Sequence, residues 1–451
     1  MRMDHSTHRR RVLQGLGGTA VAMAFGGLTH LHASENAASV DFGALRPDPG
    51  GVLDLPEGFS YRIIARTGEP MADGLIRPAR PDGMAAFAGS DGRVRLVCNH
   101  ENSPEDTHFG AFGDDLAGLS KIDRSRVFDI GGDAPGAGQG GTTTLVLASD
   151  GHTPERQFLS LAGTERNCAG GPTPWGSWLS CEETTERAGG VRAKDHGWVF
   201  EVPAEHDGLV APKPLTALGR FKHEAAAIGA DDRVVYLTED QDDSLFYRVL
   251  LNEPGKLAAG GQLQALVFDD APGLDTRNWE SRKVESGRRY SARWVDLDNP
   301  EAPDDDLRYR GHEAGAAVFA RGEGCWAGDG SIYFACTSGG ASEMGQVFAY
   351  HEDDETVELL VESDGKAMRN CDNLTVAPWG DLIVCEDTDD HCRLIGVTPE
   401  GSLYPLAQNL YNPSELAGAC FSPDGSTLYV NIQKSGLTLA ITGPFPESTA
   451  G

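Results

Sequence analysis

Potential metal ligands recur along this chain at the start of segments that share one pattern. Each segment begins with a thiol or a carboxylate, continues through an apolar stretch and a Gly-containing turn, and ends at a cysteine 13 residues later. The pairs of first and last residues are Cys168 and Cys181, Glu323 and Cys336, and Asp372 and Cys385. Thiolates and carboxylates bind metals, so the first residues could form one metal centre if the fold brings them together.

Looser copies of the pattern supply further acidic candidates. One copy begins at His223 and Glu224, another at Glu415, and the segment RVRLVCNHE ends at Glu101. Clustered carboxylates repel one another unless they are protonated, solvated or bound to cations, so their convergence predicts bound metal. The expected set is Cys168, Glu224, Glu323 and Asp372, with Glu101, Glu182 and Glu415 as further candidates.

The mixture of donor atoms indicates which metals to expect. Carboxylate oxygens at this density favour Ca²⁺. The thiolate of Cys168 favours a softer transition metal such as iron or zinc, so a site with two kinds of metal is predicted. The alternative is that Ca²⁺ ions only hold the structure together.

Two basic or titratable side chains accompany the acidic ones. Arg321 lies two residues before Glu323 in FARGEGCW, and residues i and i+2 of an extended segment face the same side. Its guanidinium would then lie beside the metals, where it matches the oxygens of a phosphate group. An ion pair between structural elements is the alternative. His223 is a weaker candidate for orienting a ligand or donating to a substrate.

The elements that would position these residues are β-hairpins. Two apolar stretches around a tight turn predict a hairpin, and repetition of the unit is typical of a propeller or a solenoid. We predict an all-β fold with a single β-propeller over residues 51–445, of five or six blades and most simply six, with loop insertions. Residues 269–311, which are polar and charged, are expected to be a solvated insertion between blades.

Innermost propeller strands all begin at one end of the central channel, so the candidate ligands are expected to converge at one channel mouth. The strand-end cysteines have a different expected role, as small buried apolar residues; they are Cys98, Cys181, Cys336 and Cys385.

The charge balance excludes some classes of partner. The net charge is −30, whereas nucleic-acid binding needs a basic surface. The acidity is consistent both with solubility and with Ca²⁺ binding. An anionic substrate would be repelled at long range, so metals or arginines must reverse the field locally.

The first residues predict export. Residues 1–33 resemble a twin-arginine signal peptide, with Arg9 and Arg10 as the pair and a weakly apolar stretch that is too short for a stable membrane span. Residues 34–50 are expected to be a linker. We therefore expect a periplasmic or secreted protein that uses the twin-arginine export machinery, has no transmembrane segment in its mature chain, and is a monomer.

Several longer motifs give a more specific indication. The segments NCAGGPTPWGSWLSCEET, GRFKHEAA, FARGEG and CDNLTVAPWGDLIVCEDT, followed by FSPDGSTLYVNIQ, resemble the PhoX family of secreted alkaline phosphatases, in its shorter branch, over residues 40–440. The resemblance implies a six-bladed propeller with a mixed iron and calcium cluster that hydrolyses phosphate monoesters. It implies that Arg321 holds the phosphate. The implied metal ligands are Cys168, Glu224, Glu323 and Asp372, with Glu182 and Glu183 as further candidates.

These observations together predict an exported, metal-dependent phosphatase. The expected mechanism is metal-assisted in-line phosphoryl transfer, in which Arg321 and Glu323 act by positioning and charge stabilisation. Two alternatives stay open. One is a Ca²⁺-dependent propeller lactonase or esterase, which would need neither Cys168 nor Arg321. The other is a non-catalytic, exported Ca²⁺-binding propeller.

Overall fold

The structure is a computed structural model that describes residues 42–132 and 136–447. The predicted signal peptide, residues 1–33, and the first part of the predicted linker, residues 34–41, lie outside the described residues. Within the described part the chain folds almost entirely into β-strands, β1 to β25, with one α-helix and five short 3₁₀ helices.

The strands have the following bounds in chain order: β1 Leu53–Asp54, β2 Ser60–Arg66, β3 Pro81–Ala88, β4 Val94–His100, β5 Gly140–Leu147, β6 Pro154–Thr164, β7 Asn167–Pro172, β8 Ser177–Glu182, β9 Val199–Pro203, β10 His223–Ile228, β11 Val234–Glu239, β12 Phe246–Leu251, β13 Gly261–Phe268, β14 Arg289–Asp296, β15 Gly322–Gly328, β16 Ser331–Cys336, β17 Gln346–His351, β18 Thr356–Glu362, β19 Cys371–Val376, β20 Leu382–Glu386, β21 Arg393–Val397, β22 Leu403–Asn409, β23 Leu416–Phe421, β24 Thr427–Ile432 and β25 Leu437–Thr442.

Helices are short. The α-helix α1 spans Leu307–Glu313, and the 3₁₀ helices are Thr107–Phe109, Ala117–Ser120, Arg124–Arg126, Thr216–Leu218 and Leu257–Ala259. Within the described ranges no helix combines the length and the apolar character needed to cross a membrane.

The predicted hairpins are confirmed. Strands β7 and β8, β15 and β16, and β19 and β20 pair antiparallel, as do the looser copies β10 with β11 and β23 with β24. Each hairpin thus places its first residues and its last residues at the same end of the ladder.

The innermost strands close a ring. In the described chain β3, β7, β10, β15, β19 and β23 each contact the next, and β23 contacts β3. Strand β2 pairs with β25 in the sheet of β23, so the two ends of the fold meet in one sheet. This is the predicted β-propeller. The blade number of six stays a prediction, because hydrogen bonding divides the described strands into five sheets, one of them nine-stranded.

Strand β14 explains the nine-stranded sheet and corrects one prediction. Residues 269–311 are not only a solvated loop, because β14 lies within them and pairs with both β13 and β18. The helix α1 begins in the same region. The insertion therefore joins two neighbouring sheets edge to edge, which its polar composition did not indicate.

The strand-end cysteines are buried as predicted. Cys98 is 2% exposed, and Cys181, Cys336 and Cys385 are fully buried in apolar clusters between adjacent sheets. All nine cysteines fall within the described residues, and none of them forms a disulfide there. Apolar packing, rather than covalent cross-links, accounts for their positions.

Glycines allow the innermost strands to approach one another closely. A Cβ added to Gly171 would lie 1.7 Å from the carbonyl oxygen of Ala226 on the neighbouring inner strand. The same crowding against an adjacent inner strand occurs at Gly83, Gly324 and Gly418. A side chain at these positions would widen the ring that carries the candidate ligands.

We expect Gly171→Ala to lower the free energy of unfolding by about 3 kcal/mol, because the clash is with backbone that cannot move freely. Gly176→Ala is the comparison, since Gly176 has a φ of +83° with no atom within 4 Å of an added Cβ. It should cost about 1 kcal/mol, from its left-handed backbone alone. Chemical denaturation measures both values, and equal costs would contradict the close approach.

Candidate metal centre and active site

Each innermost strand carries a β-bulge near one mouth of the channel. In five of these strands the pairing register shifts at a residue that could bind a metal ion. These five residues are Asp82, Cys168, Glu224, Glu323 and Asp372. A bulge bends the strand and changes the direction of its side chains, so the same irregularity aims all five toward the channel. In β23 the bulge falls at Gly418 and Ala419, which offer no ligand atom.

The residue two positions before the bulged ligand also repeats. Arg80, Arg166, Arg321 and Asn370 all have left-handed backbones, with φ of 48°, 44°, 50° and 45°. The carbonyl oxygen of each accepts a hydrogen bond from the first residue after the second strand of its hairpin. Left-handed non-glycine residues persist only where the surrounding structure holds them, so this link fixes the start of every such hairpin.

These features create a cavity of about 220 Å³ at the channel mouth. Its walls carry eight carboxylates, two guanidinium groups, one thiol and one amide. The lining residues are Glu101, Arg166, Cys168, Glu183, Glu224, Asp240, Arg321, Glu323, Asp372, Asp387, Glu415 and Gln433. Two arginines cannot neutralise eight carboxylates, so the cavity needs further cations or protons.

The carboxylates and the thiol group into four candidate metal sites. In each group the ligand atoms lie within 4.8 Å of one another. The groups are Asp82, Glu101 and Cys168; Cys168, Glu183 and Glu224; Glu224, Glu323 and Asp372; and Asp372, Asp387 and Glu415. Successive groups share Cys168, Glu224 and Asp372, so bridging ligands would connect several ions into one cluster.

Glu224 shows most clearly that the residues fit metal ions. Its side chain is 1% exposed, and neither of its carboxylate oxygens has a hydrogen-bond partner in the described chain. Burial, and then the charges of Glu323 and Glu183, raise the pKa of Glu224 well above its ordinary value. A buried carboxylate without a partner is costly, and a cation held between it and its neighbours removes that cost.

Burial and neighbouring negative charges affect the other candidate ligands in the same way. Burial raises the pKa of Glu323 and of Asp372, and neighbouring carboxylates raise both further. Burial and the charges of nearby acids also raise the pKa of the Cys168 thiol. Without metal these groups therefore retain their protons to a higher pH than free carboxyl and thiol groups do, and metal binding must displace the protons that remain.

The structure brings most of the predicted site residues together. Glu101, Glu183 and Arg321 line the cavity. Arg321 does so by a different route than predicted, because its backbone is left-handed rather than extended. Its Nη2 donates to Glu323 Oε1 at 2.7 Å, and its Nε donates to Asp240 Oδ1 at 2.7 Å.

Glu415 lines the cavity, but the sequence pattern aligned it with the wrong position of the repeated unit. It precedes β23, and its carbonyl oxygen accepts from the N–H of Gln433 at 3.4 Å. By this hydrogen bond Glu415 resembles Arg166 and Arg321 rather than the bulged ligands, although it lies three residues before the bulge at Gly418 instead of two. Gln433 in turn donates to Asp82 Oδ2 at 2.7 Å and to Glu101 Oε2 at 2.9 Å.

Two predicted residues do not line the cavity. Glu182 is fully buried and accepts hydrogen bonds from the backbone N–H groups of Glu165, Gly197 and Trp198. Its neighbour Glu183 faces the cavity, because successive residues of an extended chain point to opposite sides. The ring nitrogen Nε2 of His223 pairs with a backbone carbonyl oxygen, and its ring lies 3.7 Å from that of Phe221. Neither residue belongs to the groups of candidate ligands among the described residues.

Sequence reasoning missed Asp82, Arg166, Asp240, Asp387 and Gln433. A repeated acidic doublet was available as a signal for two of them, because second strands end in CEE at 181–183, TED at 238–240 and CED at 385–387. In the structure the second acid of each doublet lines the cavity. The first acid is fully buried on the other side of the chain, and these first acids are Glu182, Glu239 and Glu386.

A buried ionic cluster holds the first acid of one doublet. His196 is fully buried, with Nδ1 2.7 Å from Glu182 Oε1 and Nε2 3.3 Å from Asp129 Oδ2 and 3.4 Å from Glu165 Oε1. Burial lowers the pKa of His196, but the three carboxylates outweigh that effect and raise it to about 10. The imidazolium therefore ties Asp129 and the loop before β9 to the hairpin of Cys168 and Glu183.

The protein without metal should become less stable as the pH rises. The raised pKa values of the cavity carboxylates mean that their stabilising protonation is complete below the ordinary carboxyl value and is lost as the pH increases. We expect the Tm of chelator-treated protein to fall between pH 5 and pH 9, and added Ca²⁺ to restore it most at pH 9. Glu224→Gln should weaken both effects. A Tm that responds neither to pH nor to Ca²⁺ would contradict the metal centre.

His196→Gln should lower the free energy of unfolding at pH 6 by about 3 to 5 kcal/mol, because it leaves the buried carboxylates of Glu182 and Asp129 without their cation, while Glu165 keeps its ion pair with Arg192. The stabilisation from His196 is fully present below its ordinary pKa of 6.5 and is lost progressively as the pH rises to about 10. The difference between variant and parent should therefore shrink over that interval. The control is His108→Gln at an exposed site, which should change little. A difference that is independent of pH would exclude a charged His196.

Comparison with known proteins identifies the family and agrees with the fold. The sequence profile described as alkaline phosphatase PhoX matches residues 40–436. PhoX from Pseudomonas fluorescens, solved in complex with vanadate, a transition state analogue, is similar in fold with a TM-score of 0.66 at 19% identity. The match covers 87% of this chain and 96% of that one.

More distant matches carry no argument about function. A gluconolactonase from Xanthomonas campestris has a TM-score of 0.41 at 12% identity, over 89% of this chain and 99% of its own. No curated protein sequence matches the chain. The PhoX profile, by contrast, spans most of the sequence and includes every residue that lines the cavity. The chain therefore belongs to the PhoX alkaline phosphatase family, a family of phosphoric monoester hydrolases.

Proposed function

We propose that this protein hydrolyses phosphate monoesters at a mixed iron and calcium centre in the channel mouth. One observation carries the proposal. Glu224 is buried and has no hydrogen-bond partner among residues 42–132 and 136–447. It lies where two groups of candidate ligands meet, in a cavity that also contains arginines. Such a carboxylate needs a cation, and the arginines give the otherwise acidic cavity affinity for an anion.

The donor atoms divide the four ligand groups by metal. The two groups that share Cys168 combine a thiolate with carboxylates, which suits iron. The two groups without Cys168 contain only carboxylates, which suits Ca²⁺. When bound, these ions would supply Lewis acidity toward phosphate oxygens and water. The proposed ligands are Asp82, Glu101, Cys168, Glu183, Glu224, Glu323, Asp372, Asp387 and Glu415.

Arg321 is the proposed substrate-binding residue. Its Nε and Nη2 are held by Asp240 and Glu323, which fixes the plane of the guanidinium. No hydrogen bond in the described chain uses its Nη1, and this group can donate to a phosphate oxygen. A fixed donor stabilises developing charge without reorganising, which is how a positioned guanidinium assists phosphoryl transfer. Glu323 contributes by holding both the metal centre and Arg321.

The cavity also favours water as the nucleophile. No serine, threonine or tyrosine is among the described residues that line it. The thiol of Cys168 and every lining carboxylate except Asp240 are proposed metal ligands, and Asp240 is held by Arg321, so none of these groups is assigned as a nucleophile. At about 220 Å³ the cavity can hold a phosphoryl group, while the leaving group of the ester extends into solvent. The protein's task is then to position the phosphoryl group and balance its charge.

Export remains part of the proposal. The Arg9–Arg10 pair supports a twin-arginine signal over residues 1–33, followed by a linker to residue 50 and a propeller over residues 51–445. The twin-arginine route carries folded proteins. Nine unpaired cysteines in the described residues are consistent with folding in a reducing compartment before export. We propose a periplasmic or secreted monomer.

Elemental analysis of the purified protein, with hydrolysis of a generic phosphate monoester measured with and without added Ca²⁺, tests the proposal. We expect iron and calcium, and turnover that depends on Ca²⁺. Glu323→Gln and Cys168→Ser should each lose metal and lower kcat/KM by roughly 100-fold or more, because they remove ligands from a shared cluster. The control is Glu253→Gln, an exposed residue that does not line the cavity, which should retain both properties.

Three outcomes would overturn the proposal. Glu323→Gln with normal metal content and activity would remove the assigned site. Calcium alone, without turnover, would indicate a non-catalytic Ca²⁺-binding protein. Turnover of lactones or carboxylic esters by a fully active Cys168→Ser variant would indicate a Ca²⁺-dependent lactonase or esterase.

A further inference from the structure

We propose that Arg166 is a second substrate-binding residue, which binds the phosphoryl group together with Arg321. This inference rests on the proposed phosphatase function and deepens it. Sequence reasoning gave Arg166 no role, although it lies only two residues before Cys168. In the structure it is one of the two basic side chains that line the cavity.

The internal repeat makes Arg166 the structural equivalent of Arg321. Each precedes a bulged ligand by two residues, Cys168 in one hairpin and Glu323 in the other. Their φ angles are 44° and 50°. The carbonyl oxygen of Arg166 accepts from the N–H of Glu183 at 2.9 Å, and that of Arg321 accepts from Thr337 at 3.0 Å. The backbone therefore starts both side chains in the same direction.

The two guanidinium groups are also held in the same way. Arg166 donates from Nε to the carbonyl oxygen of Glu183 at 3.1 Å and from Nη2 to the carboxylate of the same residue. Its Nη2 also lies 3.0 Å from Glu101 Oε1, so it bridges acids of two hairpins, as Arg321 bridges Glu323 and Asp240. No hydrogen bond among the described residues uses Nη1 of either arginine. Both thus keep one amino group available at the cavity.

Their placement around the ring brings both groups to one substrate. Arg166 precedes β7 and Arg321 precedes β15, and β10, which carries Glu224, lies between these strands. The Arg166 side chain is 41% exposed and the Arg321 side chain is 33% exposed, so both reach the open end of the cavity. In a space of about 220 Å³ a single phosphoryl group would meet the two guanidinium groups on different oxygens.

A third arginine shows that the backbone position alone does not produce this arrangement. Arg80 precedes the bulged Asp82 by two residues, with a φ of 48°. Its Nη1 donates to Asp106 Oδ2 at 2.7 Å, its guanidinium lies 5.5 Å from the ring centre of Phe109, and it does not line the cavity. The free Nη1 of Arg166 is therefore a property of its own surroundings, and Arg80 offers a matched control.

The two arginines explain how a strongly acidic protein can retain a phosphate dianion. Arg166 makes and breaks no covalent bond in this proposal. It donates to a phosphate oxygen and offsets part of the charge of Glu101 and Glu183 at the entrance. Its loss should weaken binding of the phosphate group itself, whatever alcohol the ester carries.

Inorganic phosphate is the probe for the test. Its Kd for the metal-loaded protein is measured by calorimetry, with metal content by elemental analysis, for the parent and three variants. Arg166→Gln should raise the Kd roughly 10- to 100-fold at unchanged metal content, as expected for the loss of a charged hydrogen bond. Arg166→Lys should lose less, because it keeps the charge but not the planar fork. Arg80→Gln should stay within about twofold of the parent, since the Arg80 side chain does not line the cavity.

Two results would overturn the assignment. The first is a parental Kd for phosphate in Arg166→Gln. The second is loss of metal in Arg166→Gln with a parental Kd in the fraction that remains loaded, which would make Arg166 only a brace between Glu101 and Glu183. A parent protein that binds metal but neither binds phosphate nor hydrolyses monoesters would overturn the phosphatase proposal as well, and so separates the two failures.

Discussion

Mutual repulsion of carboxylates in one small cavity is the constraint on which the rest of this structure depends. Eight acidic side chains meet in about 220 Å³, and several are almost fully buried. Such an arrangement is unfavourable in the isolated protein, as the raised pKa values of Glu224, Glu323 and Asp372 indicate. It becomes favourable when cations bind between the acids, so the folded chain has buried negative charge that metal ions can neutralise.

The surrounding structure shows how these acidic side chains are held in place. In three hairpins the second strand ends in two adjacent acidic residues, and these two residues have different roles. The second acid faces the cavity, and the first is buried against a basic or hydroxyl partner: Glu182 against His196, Glu239 against Tyr247 and Arg308, and Glu386 against Arg393. These outer contacts keep the inner carboxylates from turning away to solvent. Support of this kind preserves the geometry that a metal cluster requires.

One backbone template with different side chains produces the asymmetry of the site. The bulge and the left-handed residue before it recur around the ring, yet the left-handed position carries arginine in three hairpins and Asn370 in another. Two of those arginines face the cavity and one, Arg80, turns outward. Positive charge is thus concentrated on one side of the ring, beside Glu224. A chain with a net charge of −30 can in this way offer an anion-binding surface over a few ångströms.

Local pattern determined much of this protein by itself. Period-2 apolar stretches around Gly-containing turns were sufficient to predict the hairpins and the propeller. The residue at the start of each hairpin identified Cys168, Glu224, Glu323 and Asp372 as members of one cavity. These predictions succeeded because a β-hairpin is encoded by contiguous residues, and because the repeated unit carries its polar residue at a constant position.

Tertiary structure alone decided which way the remaining side chains point. Of the adjacent acids Glu182 and Glu183, only Glu183 reaches the cavity, and the pairing register of β7 with β8 makes that choice. The bulges that aim the ligands, the edge-to-edge pairing of β14 and the different directions of Arg80 and Arg166 likewise depend on partners distant in the chain. A shift of one residue in a ladder moves every side chain to the opposite face, and no local pattern records that register.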